Sequence, residues 1–383
     1  MKLIKLPYKN RINNYFKTKF QKHVLISYIT APFKKGISLR HTNTNEALAM
    51  AEVFRELEFN VDVISYDDIN DINYEKYDII IGFGEPLVNY FYQNNKRLIT
   101  IYYSTGMHTC WQNTATLKRV EEVFLKKGIW ILKSTRLVEK AWSIQSTLVD
   151  YIITLGNSTT IESYRKFFDR PIFNIPVTYY NFFNQQDILE GKDYKSAKRN
   201  FLWFGGDGLI HKGLDLLLEI FSESNDNVLH VCGRIDKEAE FKNAYYKELY
   251  QTSSIHTYGF VSIDSEIFQE LLKKCGFIIF PSCSEGEPSS VINTMYYGLI
   301  PIVPSTAGIN VQDFGIQIKE LTHSSINQAI CEADSLTIDE LSKRSLKTAN
   351  YTSKQNSIDN YKLNLKSVLQ RIISDNKNTY LNK

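Results

Sequence analysis

The stretch PSCSEGEPSSVINTMYYGLIPIV, residues 281–303, sets Glu285, Glu287 and the pair Ser289 and Ser290 against the start of a helix that is otherwise apolar along one side. Proline suits the first helical turn and glycine the position just past the end, so Pro288 and Gly298 bound the helix. Val291, Ile292 and Met295 then share one face and pack on a sheet. The N–H groups of Ser289, Ser290 and Val291 are expected to lack intrahelical partners, which suits an anion. Two chemistries fit. In the first, Ser284 or Glu285 caps the turn and Glu287 answers the helix dipole, an arrangement that contributes about 0.3–1 kcal/mol. In the second, a phosphate sits at the serines and a carboxylate beside it faces a sugar hydroxyl. Eight places after Glu285 stands an amide, Asn293.

Three other loops carry reactive side chains. FLWFGGDGLIHKGLDLLLEIF (201–221) runs into Gly205, Gly206 and Gly208, then His211 and Lys212 ahead of an amphipathic helix. Glycines let backbone approach a ligand, and a lysine that opposes the helix dipole is better placed for a diphosphate than for a solvated helix start. The pattern is not GxxxxGK[ST], because Gly213 and Leu214 follow Lys212. STGMHTCWQN (104–113) offers His108, Trp111 and Gln112. By type alone His108 reads as a packed or surface residue, and Trp111 as a core residue or a stacking face for a sugar. SLRHTNTNEAL (38–48) offers Arg40, His41, Thr42 and Asn43 to an acceptor, or Thr44 or Asn45 as a simple helix cap. GFGEP (82–86) has two glycines but Leu87 where a dinucleotide fingerprint needs a third.

These loops must be held by a frame. Short apolar runs alternate with helical patterns, which gives an α/β class with parallel sheets covered by helices. HVLISYI, VDVIS, DIIIGFG, RLITIYY, WIL and YIITLG read as strands of a first series; FLWFGG, VLHVCG, IHTYGFV, FIIF and IPIV form a second. Between them, over residues 175–200, the rhythm fails, which marks a crossing between domains. Ligands of open α/β sheets bind at the carboxyl ends of strands, where the reactive loops lie.

Composition narrows the function classes. A chain of 383 residues, 43% hydrophobic and 23% charged, can bury a sizeable core and divides by length into two domains. The net charge of +3 does not suit a nucleic-acid surface, but no acid precedes Glu46. That basic start reads as a solvated terminus or as an arm on an anionic membrane. With no apolar run of spanning length and no signal-peptide core, the expected location is cytoplasmic, with the inner membrane face as an option. Five cysteines without a CxxC pair fit reduced thiols, and seven scattered histidines suggest no metal site.

FLWFGGDGLIHKGLDLLLEIF, the later TYGFV and FPSCSEGEPSSVINTMYYGLIPIV resemble, in order and spacing, the donor-binding segments of family 4 retaining glycosyltransferases of the GT-B fold. The likeness covers most of residues 200–305 and is only architectural over 1–180. It implies two doubly wound Rossmann-like domains facing a cleft: an acceptor-binding domain over 1–180 and a nucleotide-sugar domain over 181–354. A last helix, about 355–383, is expected to pack back on the first. The resemblance makes Lys212 part of a basic pair for the diphosphate, gives Glu285 to the transferred sugar, and lays Gly259, Phe260 and Val261 along the base. His108 would contact the sugar or help activate the acceptor, so the implied catalytic set is His108, Lys212 and Glu285. Gly205, Gly206, Arg234, Glu287, Pro288, Ser289, Ser290 and Asn293 complete the donor site; Arg40, His41 and Trp111 would meet the acceptor. Two positions depart from the pattern. The arginine expected six residues before the lysine is Gly206, and the second acid is Asn293. An amide accepts through one oxygen without charge assistance, so nucleotide binding is expected to weaken by about 1 kcal/mol.

The implied activity is transfer of a sugar, with retention, from a UDP- or GDP-linked donor to a saccharide or lipid-linked hydroxyl, in cell-surface polysaccharide or glycolipid synthesis. It needs no metal or further cofactor, since the leaving diphosphate itself takes the acceptor proton and the protein positions and stabilises charge. The two departures leave an alternative, a non-catalytic GT-B subunit that binds a glycan or supports a partner transferase. A sugar-nucleotide epimerase or another GT-B enzyme is a third reading.

Overall fold

The computed structural model describes residues 11–39, 41–93, 98–138 and 143–381. Seven strands build a first sheet: β1 (Arg11–Ile12), β2 (Lys22–Tyr28), β3 (Phe59–Ser65), β4 (Ile79–Gly82), β5 (Ile99–Ser104), β6 (Tyr151–Leu155) and β7 (Ile172–Ile175). Their order is β1-β3-β2-β4-β5-β6-β7, parallel except for β1. Six parallel strands build a second: β8 (Asn200–Phe204), β9 (Val228–Cys232), β10 (Ile255–Gly259), β11 (Phe277–Ile279), β12 (Ile300–Pro304) and β13 (Ile316–Ile318), in the order β10-β9-β8-β11-β12-β13. Continuous apolar runs such as FLWF in β8 are buried on both faces, because helices cover each sheet.

Both orders reverse direction once, and a crevice opens where they do. In the second sheet the reversal lies between β8 and β11, so the glycine loop after Phe204 and the acidic loop after Ile279 flank the same crevice. In the first sheet it lies between β2 and β4, which brings the loop holding His41 to the corresponding place.

Two helices cross between the lobes. Thr109–Lys127 comes from the first half of the chain, yet Val120 and Val123, with Ile131 beyond its end, are buried in the core of the second sheet. Its buried Arg119 pairs with Asp215. The C-terminal helix Ile358–Leu381 sets Tyr361, Leu365, Leu369 and Ile372 into the first lobe's core, against the helix Asn43–Glu56.

Some local expectations change. The strand expected at WIL is absent: Trp130 is exposed, Ile131 is buried in the second lobe, and Leu132–Ser134 forms a single 3-10 turn. The basic arm is not free from residue 11 onward. Arg11 pairs with Asp68 at 3.4 Å, Asn14 N–H donates to Asp62 at 2.7 Å, and Arg55 lies over the Phe16 ring. Residues 1–10 lie outside the described residues, as does Arg40.

Candidate functional site

The loop after β8 begins on a close approach. A Cβ at Gly205 would stand 2.7 Å from the Trp203 ring, so only glycine lets the chain turn over the tryptophan. Lys212 N–H then bonds Gly208 O at 2.9 Å, and Trp203 Nε1–H donates to Lys212 O at 3.2 Å. His211 is almost fully buried and acts as a clamp rather than a ligand. Its backbone O accepts from Cys283 N–H at 3.0 Å and from Ser282 Oγ at 3.2 Å, and its ring Nε2–H donates to Ser284 O at 2.6 Å. Burial lowers the imidazole to about 3, so it stays neutral.

That clamp brings Glu285 to Lys212. Lys212 Nζ donates to Glu285 Oε1, Ser282 Oγ adds a bond at 3.3 Å, and Arg136 Nη1 stands 3.9 Å from Oε2. Burial by itself would raise the Glu285 pKa, but Lys212 and then Arg136 and His211 outweigh it and hold the carboxyl at about 2. Burial pulls Lys212 below its ordinary value, with Glu285 opposing. The site therefore holds a desolvated ion pair beside a further arginine.

In front of this pair lies a cavity of about 360 Å³. His41, Gly205, Gly206, Arg234, Phe260, Val261, Ser289, Ser290 and Asn293 line it, together with Arg136 and Tyr180, which the sequence reading did not include. Lys212, Glu285, Glu287 and Pro288 are not on its wall. The helix Ser289–Tyr296 points its start at the space, with Pro288 at the cap position and no capping side chain. Neither Ser284 nor Glu285 caps it. Val291 N–H is satisfied by Pro288 O at 3.0 Å, which leaves Ser289 and Ser290 to present N–H groups to an anion. At the far end Arg234 lies over the Phe260 ring, 5.4 Å from its centre, and 3.8 Å from Asp207.

Several expected ligands have structural duties instead. Asn293, on the cavity wall, accepts Tyr180 N–H at Oδ1 at 2.7 Å and donates from Nδ2 to Ser289 O at 2.7 Å, so one of the two Oδ1 lone pairs already serves the fold. Tyr180 in turn reaches the first lobe, its hydroxyl 3.0 Å from Thr44 Oγ1. Glu287 faces away from the cavity: its carboxylate accepts Val177 N–H at 2.7 Å and Asn356 Nδ2–H at 3.3 Å. The crossing segment 177–183 thus takes both side chains, because its own N–H groups have no strand to pair with.

His108 lies apart from this cavity. It occupies the cap of Thr109–Lys127, where its Nδ1 accepts Cys110 N–H at 3.3 Å, and its ring stacks on Phe167 at 4.2 Å. Only 2% exposed and held near pKa 4 by burial, it is off the cavity wall. His41, by contrast, faces the cavity. Its Nδ1 accepts Asn43 N–H at 3.1 Å, so the neutral ring carries its proton on Nε2. The ring is solvent-exposed on the cavity side, and partial desolvation, then the Arg136 and Lys212 cations, lowers its pKa below the ordinary imidazole value. Trp111 sits elsewhere, in a second interlobe cavity of about 770 Å³ with Arg119, Lys166, Phe167 and Glu320. Lys166 lies over its ring at 4.7 Å. Among the described residues no cluster of three or more His, Cys, Asp or Glu side chains is arranged to hold a metal, and no helix is long and apolar enough to cross a membrane.

A family model for glycosyl transferases group 1 matches residues 186–312. Curated protein sequences return no match. Among solved structures, sucrose-phosphate synthase from Thermosynechococcus elongatus superposes with a TM-score of 0.64 at 11% identity, covering 93% of this chain and 100% of that one. WaaG, a glycosyltransferase involved in lipopolysaccharide biosynthesis, gives 0.54 at 15%, covering 90% and 98%. Anabaena HepE, solved with UDP and glucose, gives 0.55 at 9%, covering 92% and 99%. At these identities the likeness is one of fold. The chain thus has the two-lobed GT-B fold, and its residues 186–312 match the family model for glycosyl transferases group 1.

Proposed function

We propose that the protein transfers a sugar, with retention at the anomeric carbon, from a UDP- or GDP-linked donor to a hydroxyl acceptor. The observation that carries this reading is the cavity at the reversal point of the second sheet. There the free N–H groups of Ser289 and Ser290 face the glycine loop, and the Lys212–Glu285 pair stands behind. In this reading the diphosphate sits at Ser289 and Ser290 and draws Lys212 towards itself, which frees Glu285 to hold the sugar hydroxyls. The base lies along Phe260 and Val261.

The acceptor oxygen then bonds to the anomeric carbon on the face the diphosphate leaves. The carbon–oxygen bond to the β-phosphate breaks, and the acceptor proton passes to a β-phosphate oxygen. His41, a neutral donor through Nε2–H, orients the acceptor or sugar rather than serving as a base. The cavity at Trp111, with an indole and charged groups of both signs, suits a saccharide acceptor. Cell-surface polysaccharide or glycolipid synthesis at the cytoplasmic face of a membrane is the setting we assign, in keeping with the part WaaG plays in lipopolysaccharide biosynthesis.

The test is a panel of UDP- and GDP-sugars, scored by thermal shift and by slow donor hydrolysis, on the wild type and on Lys212→Ala and Glu285→Ala. One donor should stabilise the wild type, and both variants should lose that shift. Full retention of donor binding in both would refute the site. Binding without hydrolysis or transfer would favour a non-catalytic glycan-binding subunit.

A further inference from the structure

The cavity contains one cation that the sequence reading did not connect with it. Arg136 precedes the crossing segment by some forty residues and lies beyond the helix Thr109–Lys127, in the first half of the chain. Its backbone is nonetheless fixed to the donor side. Glu238 acts as a clasp: its carboxylate accepts Ser134 Oγ–H, Gly208 N–H at 2.6 Å and Leu209 N–H at 3.2 Å, so one side chain ties the 134–136 segment to the glycine loop. His211 N–H donates to Ser134 O at 3.1 Å. Arg136 N–H reaches Thr116 Oγ1 at 3.3 Å, and Gln112 Nε2–H donates to Arg136 O at 2.6 Å.

The stem of Arg136 lies on Gly208. A Cβ there would stand 2.6 Å from Arg136 Cγ, and the glycine has φ +85°, so this position is built for the arginine to pass over it. The guanidinium ends in the cavity, half exposed, 3.9 Å from Glu285 and with no hydrogen bond among the described residues. The other cations are committed: Lys212 to Glu285, and Arg234 to Asp207 and the Phe260 ring. A diphosphate carries more negative charge than a lysine shared with a carboxylate offsets, and a planar fork of N–H donors suits two of its oxygens at once.

We infer that Arg136 is the second diphosphate-binding cation, supplied from the first half of the chain and held in place by the Ser134–Glu238 clasp. This rests on the nucleotide-sugar reading above. It explains how Gly206 can be a glycine: the space its side chain would occupy is open, with no atom within 4 Å of a Cβ placed there.

Calorimetric titration of UDP, GDP, uridine and guanosine into the wild type, Arg136→Ala, Arg136→Lys and Arg136→Ala/Gly206→Arg tests the inference. Loss of a charge-assisted pair should weaken the bound diphosphate by roughly 10- to 100-fold in Arg136→Ala, with the matching nucleoside unaffected. Arg136→Lys should recover part of the loss, and Gly206→Arg should restore affinity by supplying a guanidinium from the open position. Unchanged diphosphate affinity in Arg136→Ala, with the wild type binding normally, overturns the inference and leaves the functional reading intact. An equal loss for nucleoside and diphosphate also overturns it, since that would mean a distorted pocket. A wild type that binds neither nucleotide removes the functional reading and this inference together.

Discussion

Glu285 and Lys212 hold each other's charge out of water, which makes each costly to remove alone. Glu285→Gln strands a buried ammonium, and we expect a loss of about 3 kcal/mol in urea unfolding, whereas an exposed acid changed in the same way costs far less. Glu287 behaves in the opposite sense. Burial, opposed by the Val177 and Asn356 donors and aided by Glu46, raises its pKa from 4.5 to about 7. The folded state then holds a proton that the unfolded chain has released. Its contribution to stability is complete below the ordinary carboxylate value and is lost as pH rises through the folded value, by about 1.4 kcal/mol per unit of raised pKa at most. Thermal denaturation between about pH 5 and 8 should show this fall in the wild type and a flatter profile in Glu287→Gln. Asn293→Ala removes the acceptor for Tyr180 N–H, so a loss of about 1–3 kcal/mol is expected, with a weakened hold on the crossing segment.

Among the elements, the helix Thr109–Lys127 serves both lobes, with Arg119 and Val120 on the second and Trp111 at the rim of the larger cavity. If that cavity takes the acceptor, Trp111→Ala should raise the acceptor KM several-fold and leave nucleotide titrations unchanged; an unchanged KM would place the acceptor elsewhere. The same helix explains why WIL has the pattern of a strand without forming one. Three apolar residues in a row look like a strand, but here only the middle one, Ile131, is buried, and its burial partner is a sheet that begins seventy residues later. A local pattern carries the number of apolar residues and not the identity of the surface that covers them.

For the whole molecule, the two lobes are joined by the crossing segment and by the return of the C-terminal helix. Tyr361, Leu365, Leu369 and Ile372 are buried in the first lobe. At about 1.5–3 kcal/mol for each buried apolar side chain, these four contribute on the order of the net stability of a domain. Removal of residues 358–383 should therefore leave the first lobe open to proteolysis while the second, whose core cluster includes none of these residues, keeps its helices by circular dichroism.

The alternation of apolar runs and helical patterns was enough to read two α/β series, and the loops after strands, because burial on both faces forces continuous apolar strands and ligands gather at their carboxyl ends. Gly205, Ser289 and Ser290 were legible for the same local reason: a close approach and free N–H groups are properties of a short segment. The tertiary structure alone decided which polar side chains remain available. Asn293, Glu287 and His108 bear the types that chemistry uses, yet Tyr180, Val177 and Phe167 come from distant segments to engage them. Arg136 shows the converse, a residue in no motif that Glu238, about a hundred positions away, ties beside the glycine loop. A side chain's role depends on what competes for it, and in a sheet whose strand order is not the chain order those competitors are remote in sequence.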